Sequence, residues 1–229
     1  MRAVARRRRE QVWTAGAQLA IAPIRRQKGQ NVRLDAIPDA SSSVQRRHAL
    51  GGETVTVRPA RPEDADRIGA YIRALSFKSR YARFLGPVNE LAAADLYRMT
   101  HGNHAAPPAL IAERSDGDAR TLIGEARYAL DGVSCEFALS VSDSWRAKGI
   151  GTLLIGIIEE RAKLLGAHYL IGDVLRSNQP MLALAHKLGF AVTRPILDDR
   201  LFKVTKRLSC LDAAQTSNQG FSPELSVAA

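Results

Sequence analysis

Residues 145–166 constrain the fold more than any other stretch, because they read as a glycine-bearing turn feeding a long amphipathic helix. Ile150, Leu153, Leu154, Ile157, Ile158, Ala162 and Leu165 fall on one helical stripe, and Glu159, Glu160, Arg161 and Lys163 lie largely off it. Gly166 stands where a left-handed C-cap ends such a helix. The turn is Trp145-Arg146-Ala147-Lys148-Gly149-Ile150-Gly151-Thr152. A helix's first turn has amides without internal partners and the positive end of the macrodipole, and Gly149 and Gly151 remove side chains that would screen them. The dipole alone contributes about 0.3–1 kcal/mol, so several amides must act together with Arg146 and Lys148 on a ligand bearing several charges. A diphosphate fits that description better than a carboxylate. The third glycine of a dinucleotide fingerprint and the Gly-Lys-Ser/Thr of a P-loop are both missing.

Charge is concentrated at one end. Residues 1–50 carry 11 Lys and Arg against 3 Asp and Glu, which is +8 of the chain's formal +10. We expect residues 1–52 to be a basic, disordered tail rather than a nucleic-acid arm, since Trp13 is the one aromatic among its arginines. The Arg-rich start is similar to a transit peptide and Ala15–Ile24 to a weak signal core, but no cleavage site is convincing, so export is not expected. At 45% hydrophobic residues the chain can bury one good-sized core, and no apolar run reaches the length of a membrane span. Two unpatterned cysteines, Cys135 and Cys210, fit a reducing cytoplasm, and the five histidines show no metal-ligand spacing.

Helical patterns cover 62–75, 79–85, 90–100 and 181–188, and strand-like runs cover 54–58, 109–113, 121–128, 134–141, 169–174 and 201–206. This order predicts an α/β fold with a mixed, mostly antiparallel central sheet flanked by helices. One domain is expected over 53–208, with a disordered tail over 209–229 and a dispensable tail before Gly51.

In the strand 134–141, period-two alternation sends Cys135, Phe137, Leu139 and Val141 to one face and Glu136, Ala138 and Ser140 to the other. Glu136 therefore shares its face with small residues that leave room for a ligand, on a strand that leads into the glycine turn. Glu125, on the preceding strand, is the alternative carboxylate.

Arg146-Ala147-Lys148-Gly149-Ile150-Gly151 resembles the Arg/Gln-x-x-Gly-x-Gly/Ala signature of the GNAT superfamily of acyl-CoA N-acyltransferases. A second block resembles that family's Asn-x-x-Met/Ala…Leu-Gly-Phe: Asn178-Gln179-Pro180-Met181, then Leu188-Gly189-Phe190. Arg58 to Ala65 looks like its first strand entering its first helix, and Ser79-Arg80-Tyr81-Ala82-Arg83-Phe84-Leu85 is similar to a segment of the bacterial protein-lysine acetyltransferase branch.

The resemblance implies direct acetyl transfer from acetyl-CoA to a primary amine, a protein lysine or a small molecule, with Glu136 as general base. It implies that Arg146, Lys148, Gly149, Ile150, Gly151 and Thr152 hold the pyrophosphate, that Leu139 and Val141 pair with pantetheine, and that Asn178 hydrogen-bonds the same arm. Asn178 also reads as an ordinary helix N-cap. Where many members carry a general-acid tyrosine this chain has Ala185, beside His186. The acid is therefore unassigned, and a non-catalytic acyl-CoA-binding regulatory module is the alternative. A monomer or homodimer without metal, nucleic-acid or membrane partner is expected.

Overall fold

The computed structural model describes residues 46–50, 52–103, 105–116, 119–195 and 198–209. Eight strands form one sheet: β1 (Arg46–Leu50), β2 (Glu53–Pro59), β3 (Leu110–Asp116), β4 (Ala119–Asp131), β5 (Ser134–Val141), β6 (Tyr169–Leu175), β7 (Ala191–Thr193) and β8 (Leu201–Arg207). Among the described residues five α-helices flank it: α1 (Ala65–Ala74), α2 (Phe77–Phe84), α3 (Ala93–Thr100), α4 (Ile150–Leu164) and α5 (Gln179–Lys187). The strand order is β1-β2-β3-β4-β5-β6-β8-β7. Every pairing is antiparallel except β5 with β6, for which α4 supplies the crossover that parallel neighbours require.

The expected stripe on α4 is the buried one. Ile150, Leu154, Ile157, Ile158 and Ala162 join Ile155 in a core with Val55, Val57, Ala126, Phe137 and Leu170. Gly166 ends the segment at φ +78°, in the left-handed region read from sequence. On the opposite sheet face Ile68, Ile72, Leu75, Leu91 and Met99, from α1 to α3, form a second core with Ile111.

On the sheet face of the second core, Arg58 acts as a charged clasp. Arg58 donates to Glu113 on β3 at 2.9 Å and, through both terminal nitrogens, to Asp64 at 2.7 and 2.9 Å. Burial would push the Asp64 carboxyl up, but Arg58, the Arg61 amide and Arg67 outweigh it and hold it below the usual carboxylate range.

Two strands differ from the sequence reading. Arg46–Leu50, assigned above to the tail, pairs antiparallel with β2 over its whole length, so the sheet takes in residues that the sequence pattern left outside it. Alternation turns Arg46, His48 and Leu50 toward α4, where Arg46 donates to Glu160 and Leu50 lies beside Gly149. The other addition, β7, is three residues long. Residues 1–45 and 51 of the expected N-terminal tail, and residues 210–229, lie outside the described residues. No described helix is long and apolar enough to cross a membrane.

A chain starting at Gly51 therefore lacks a sheet strand and is not merely trimmed of a tail. Against a chain starting at Arg46, we expect it to lose about 1–3 kcal/mol, or roughly 2–4 °C in Tm per kcal/mol for a domain of this size. Thermal unfolding followed by circular dichroism checks this, and equal melting temperatures would make β1 dispensable.

Candidate functional site

β5 and β6 pair only through Ser134–Glu136 with Tyr169–Ile171. β5 then continues to Val141 against β4, and β6 continues to Leu175 against β8. The strands thus part after three pairs, leaving a notch in mid-sheet walled by main-chain groups that face no strand. Such groups demand hydrogen-bond partners, so the notch suits an extended, amide-bearing ligand. Leu139 and Val141 lie on its β5 wall, part-buried against the α4 core.

Glu136 is the last β5 residue before the strands part, which puts it at the vertex of the notch. It is half-buried and faces away from α4, as its alternation required. Burial raises its carboxyl above the ordinary range; the charge of Asp173 adds to the effect and Lys203 opposes it. Asp173 on β6 stands opposite Lys203 on β8, with Nζ 3.4 Å from Oδ1.

Glu125 has a different environment. It is fully buried, and Arg83 on α2 grips it in a fork, Nε to Oε1 at 2.6 Å and Nη2 to Oε2 at 3.0 Å. Ser140 Oγ donates to the same carboxylate at 2.7 Å. With its proton so committed, Ser140 can only accept from Tyr71 Oη, 3.1 Å away. Both oxygens of Glu125 are thus engaged and shielded, an arrangement suited to locking α2 and β4 together rather than to taking a substrate's proton.

At the far end of the notch, the loop before α4 contains two left-handed residues, Ala147 at φ +59° and Gly149 at φ +88°. The φ of Gly149 is one that a side chain would strain. α4 begins without a side-chain cap, so the amides of Ile150, Gly151 and Thr152 have neither an intrahelical partner nor a capping side chain. Lys148 is positioned beside them, its Nζ 4.3 Å from the centroid of the Trp145 ring. Gly151 serves a purpose not read from sequence: a Cβ there would sit 2.9 Å from Leu184 on α5, so its smallness lets two helices meet.

Arg146 is held by local partners. It pairs with Asp143 at 2.8 Å and donates to Ser79 Oγ. Asp143 also accepts from the Ser76 amide at 2.9 Å and from the Ser79 hydroxyl at 2.7 Å, joining the start of α2 to the turn before α4. Burial opposes ionisation of Asp143, yet these donors and Arg146 keep its carboxyl below the usual range. Asn178 caps α5, accepting from the Met181 amide at 3.3 Å, and its amide nitrogen remains available to donate. Ala185 is fully buried in the α4 core, and His186 next to it is exposed.

The sequence reading missed an open cavity of about 760 Å³ at the C-terminal end of β6, lined by Tyr81, Leu175, Arg176, Ser177, Arg200 and Phe202 among others. Its volume suits a small ligand or an inserted side chain. Its residues come from three distant segments, and no local pattern marks them.

The chain matches the family model described as the Acetyltransferase (GNAT) family over residues 75–190. It is 30% identical over 146 residues to Acetyltransferase PA5475 of Pseudomonas aeruginosa, covering 62% of this chain and 78% of that one. To Acetyltransferase Pat of Mycolicibacterium smegmatis it is 25% identical over 180 residues; the match covers 76% of this chain and spans half the length of that relative. The crystal structure of the GNAT domain of S. lividans PAT superposes with a TM-score of 0.64 at 24% identity, over 72% of this chain and 97% of that one.

If Glu125 is structural, Glu125→Ala should cost about 3–5 kcal/mol of stability, because it leaves the Arg83 guanidinium buried without its partner. Denaturant unfolding measures this directly. Wild-type stability with lost turnover would instead return Glu125 to the chemistry.

Proposed function

Because the chain belongs to the GNAT family of acetyltransferases, we propose that it transfers acetyl from acetyl-CoA directly to a primary amine, with Glu136 as the base. The observation that carries this reading is the position of Glu136 at the vertex of the notch, with uncapped α4 amides at the notch's other end. The amides of Ile150, Gly151 and Thr152, with Lys148 and Arg146 at the rim, would hold the diphosphate. The free edge of β5 over Leu139–Val141 and the Asn178 amide would bind the pantetheine arm, leaving the thioester near Glu136.

An alkylammonium, with a pKa of about 10.4, is neutral only about once in a few thousand at pH 7, a cost of roughly 4–5 kcal/mol before it can attack. Glu136 meets that cost by accepting the proton, directly or through water. Its raised pKa brings it closer to the operating pH, where a general base is most effective. A protein lysine is the acceptor favoured by the likeness of Ser79–Leu85 to the protein-lysine acetyltransferase branch, and the open cavity beside Tyr81 would admit a side chain. A small-molecule amine is the other acceptor. The buried Ala185, where an acid would be useful, favours the second reading of an acyl-CoA-binding regulatory module. A thiolate with a pKa near 8.5 can nevertheless leave unassisted, and thiol release in the presence of amine separates the two.

Thr152→Glu should weaken acetyl-CoA binding at least tenfold in calorimetry while preserving the fold. A carboxylate in a helix's first turn stabilises the helix by about 0.3–1 kcal/mol but repels a diphosphate. Unchanged affinity would sink the cradle.

Glu136→Gln should lower turnover by roughly 10²–10⁴ with acetyl-CoA affinity nearly unchanged. The raised pKa means that the folded state binds this proton more tightly than the unfolded one, so ionising Glu136 costs stability as pH rises. The amide variant should therefore melt no lower than wild type at neutral pH. In the wild type the acidic limb of the rate profile should lie above the ordinary carboxylate range and move to lower pH in Asp173→Asn, which removes a charge that raises Glu136. A limb that stays put would exclude Glu136 as the group titrating.

A further inference from the structure

The face of the sheet that carries Glu136 also carries one of the protein's own amines. Glu136 pairs with Ile171, Asp173 follows two residues on along the same face, and Lys203 stands directly opposite Asp173. Thr205 is the β8 residue level with Glu136, so Lys203 lies about 10 Å across and about 7 Å along from it, a backbone span of roughly 12 Å that extended lysine and glutamate side chains can bridge between them. The Lys203 ammonium is held loosely, 3.4 Å from Asp173, and its side chain is 41% exposed. By contrast Lys206 turns toward α4, where it binds Glu159 at 2.7 Å, and Lys163, on α4 itself, binds the same carboxylate at 3.1 Å. The influence of Lys203 on the carboxyl of Glu136 agrees with this proximity.

We propose that Lys203 is a site of self-acetylation in cis, filling the acceptor position when no other amine is present. The inference rests on the reading of Glu136 as base and of the notch as the acetyl-CoA site. In the step, Glu136 takes one proton from the Lys203 ammonium and the freed Nζ forms a bond to the acetyl carbonyl carbon. The carbon–sulfur bond breaks, Nζ gives up its second proton, and that proton goes to the leaving thiolate of coenzyme A. The product is a neutral amide at Lys203, which no longer pairs with Asp173 and leaves that carboxylate beside Glu136 without its cation.

The test is to incubate the full chain with isotopically labelled acetyl-CoA and no added amine, then locate the label by peptide mass spectrometry. The expected result is label at Lys203 ahead of Lys206 and Lys163, with a first-order rate that does not change on dilution. The rate should fall by roughly 10²-fold in Glu136→Gln. Lys203→Arg, which keeps the charge opposite Asp173, should abolish that label and leave no replacement site of similar rate. Label spread over exposed lysines and indifferent to Glu136→Gln would be ordinary chemical acylation and would overturn the proposal, as would a rate that rises with protein concentration. If a lysine peptide is acetylated while Lys203 stays unlabelled, self-acetylation fails and the acetyltransferase reading stands. If acetyl-CoA binds in calorimetry but neither Lys203 nor any added amine is acetylated, both fail together.

Discussion

Three residue pairs, Ser134–Glu136 against Tyr169–Ile171, join what are otherwise two antiparallel sheets, β1 to β5 on one side and β6, β8 and β7 on the other. Parallel pairing is slightly weaker per residue than antiparallel pairing, so so short a seam leans on what covers it. α4 does so by packing Ile150, Leu154 and Ile158 into the core shared by both halves. At the seam's end Phe137 lies so close to Gly172 that a Cβ there would be 3.1 Å from its ring. Each strand keeps its outer partner beyond this point, and the sheet opens without losing either wall. The opening, the position of Glu136 and the nearness of α4's amides all follow from where the pairing stops.

The charged groups divide by burial into those that hold the scaffold and those left partly open to solvent. Arg83 with Glu125, and Arg58 with Asp64 and Glu113, are saturated and shielded, and each joins segments far apart in sequence. Glu136, Asp173 and Lys203 are part-buried, and the Asp173–Lys203 pair is loose, at 3.4 Å. Two glutamates on adjacent strands thus have different surroundings, one locked and buried and the other part-exposed.

What could be read from the sequence was what short-range physics determines. The α4 stripe, its Gly166 cap, the face chosen by Glu136 and the bare start at Gly149 depend on residues a turn or a strand apart, and all are present in the structure. β1 escaped because Arg46-Arg47-His48 shows no apolar alternation, and its partners are the β2 backbone and Glu160, 114 residues away. Asp173 and Lys203 meet through a register set after α5 has intervened, which no window of sequence contains. The fork of Arg83 on Glu125 was hidden for the same reason, and Gly151 could be explained only once Leu184 was in place.

Cys135 lies in the middle pair of the seam, opposite Leu170, with no exposed surface. Burial, reinforced by the charge of Glu136 next to it, pushes its thiol up to about 12. The reactive thiolate is therefore scarce at neutral pH, and the sulfur is shut away from oxidants and electrophiles in the closed fold. Reagents reach it only through local opening of the seam. Its chemical inertness is thus a measure of how rarely the two half-sheets come apart.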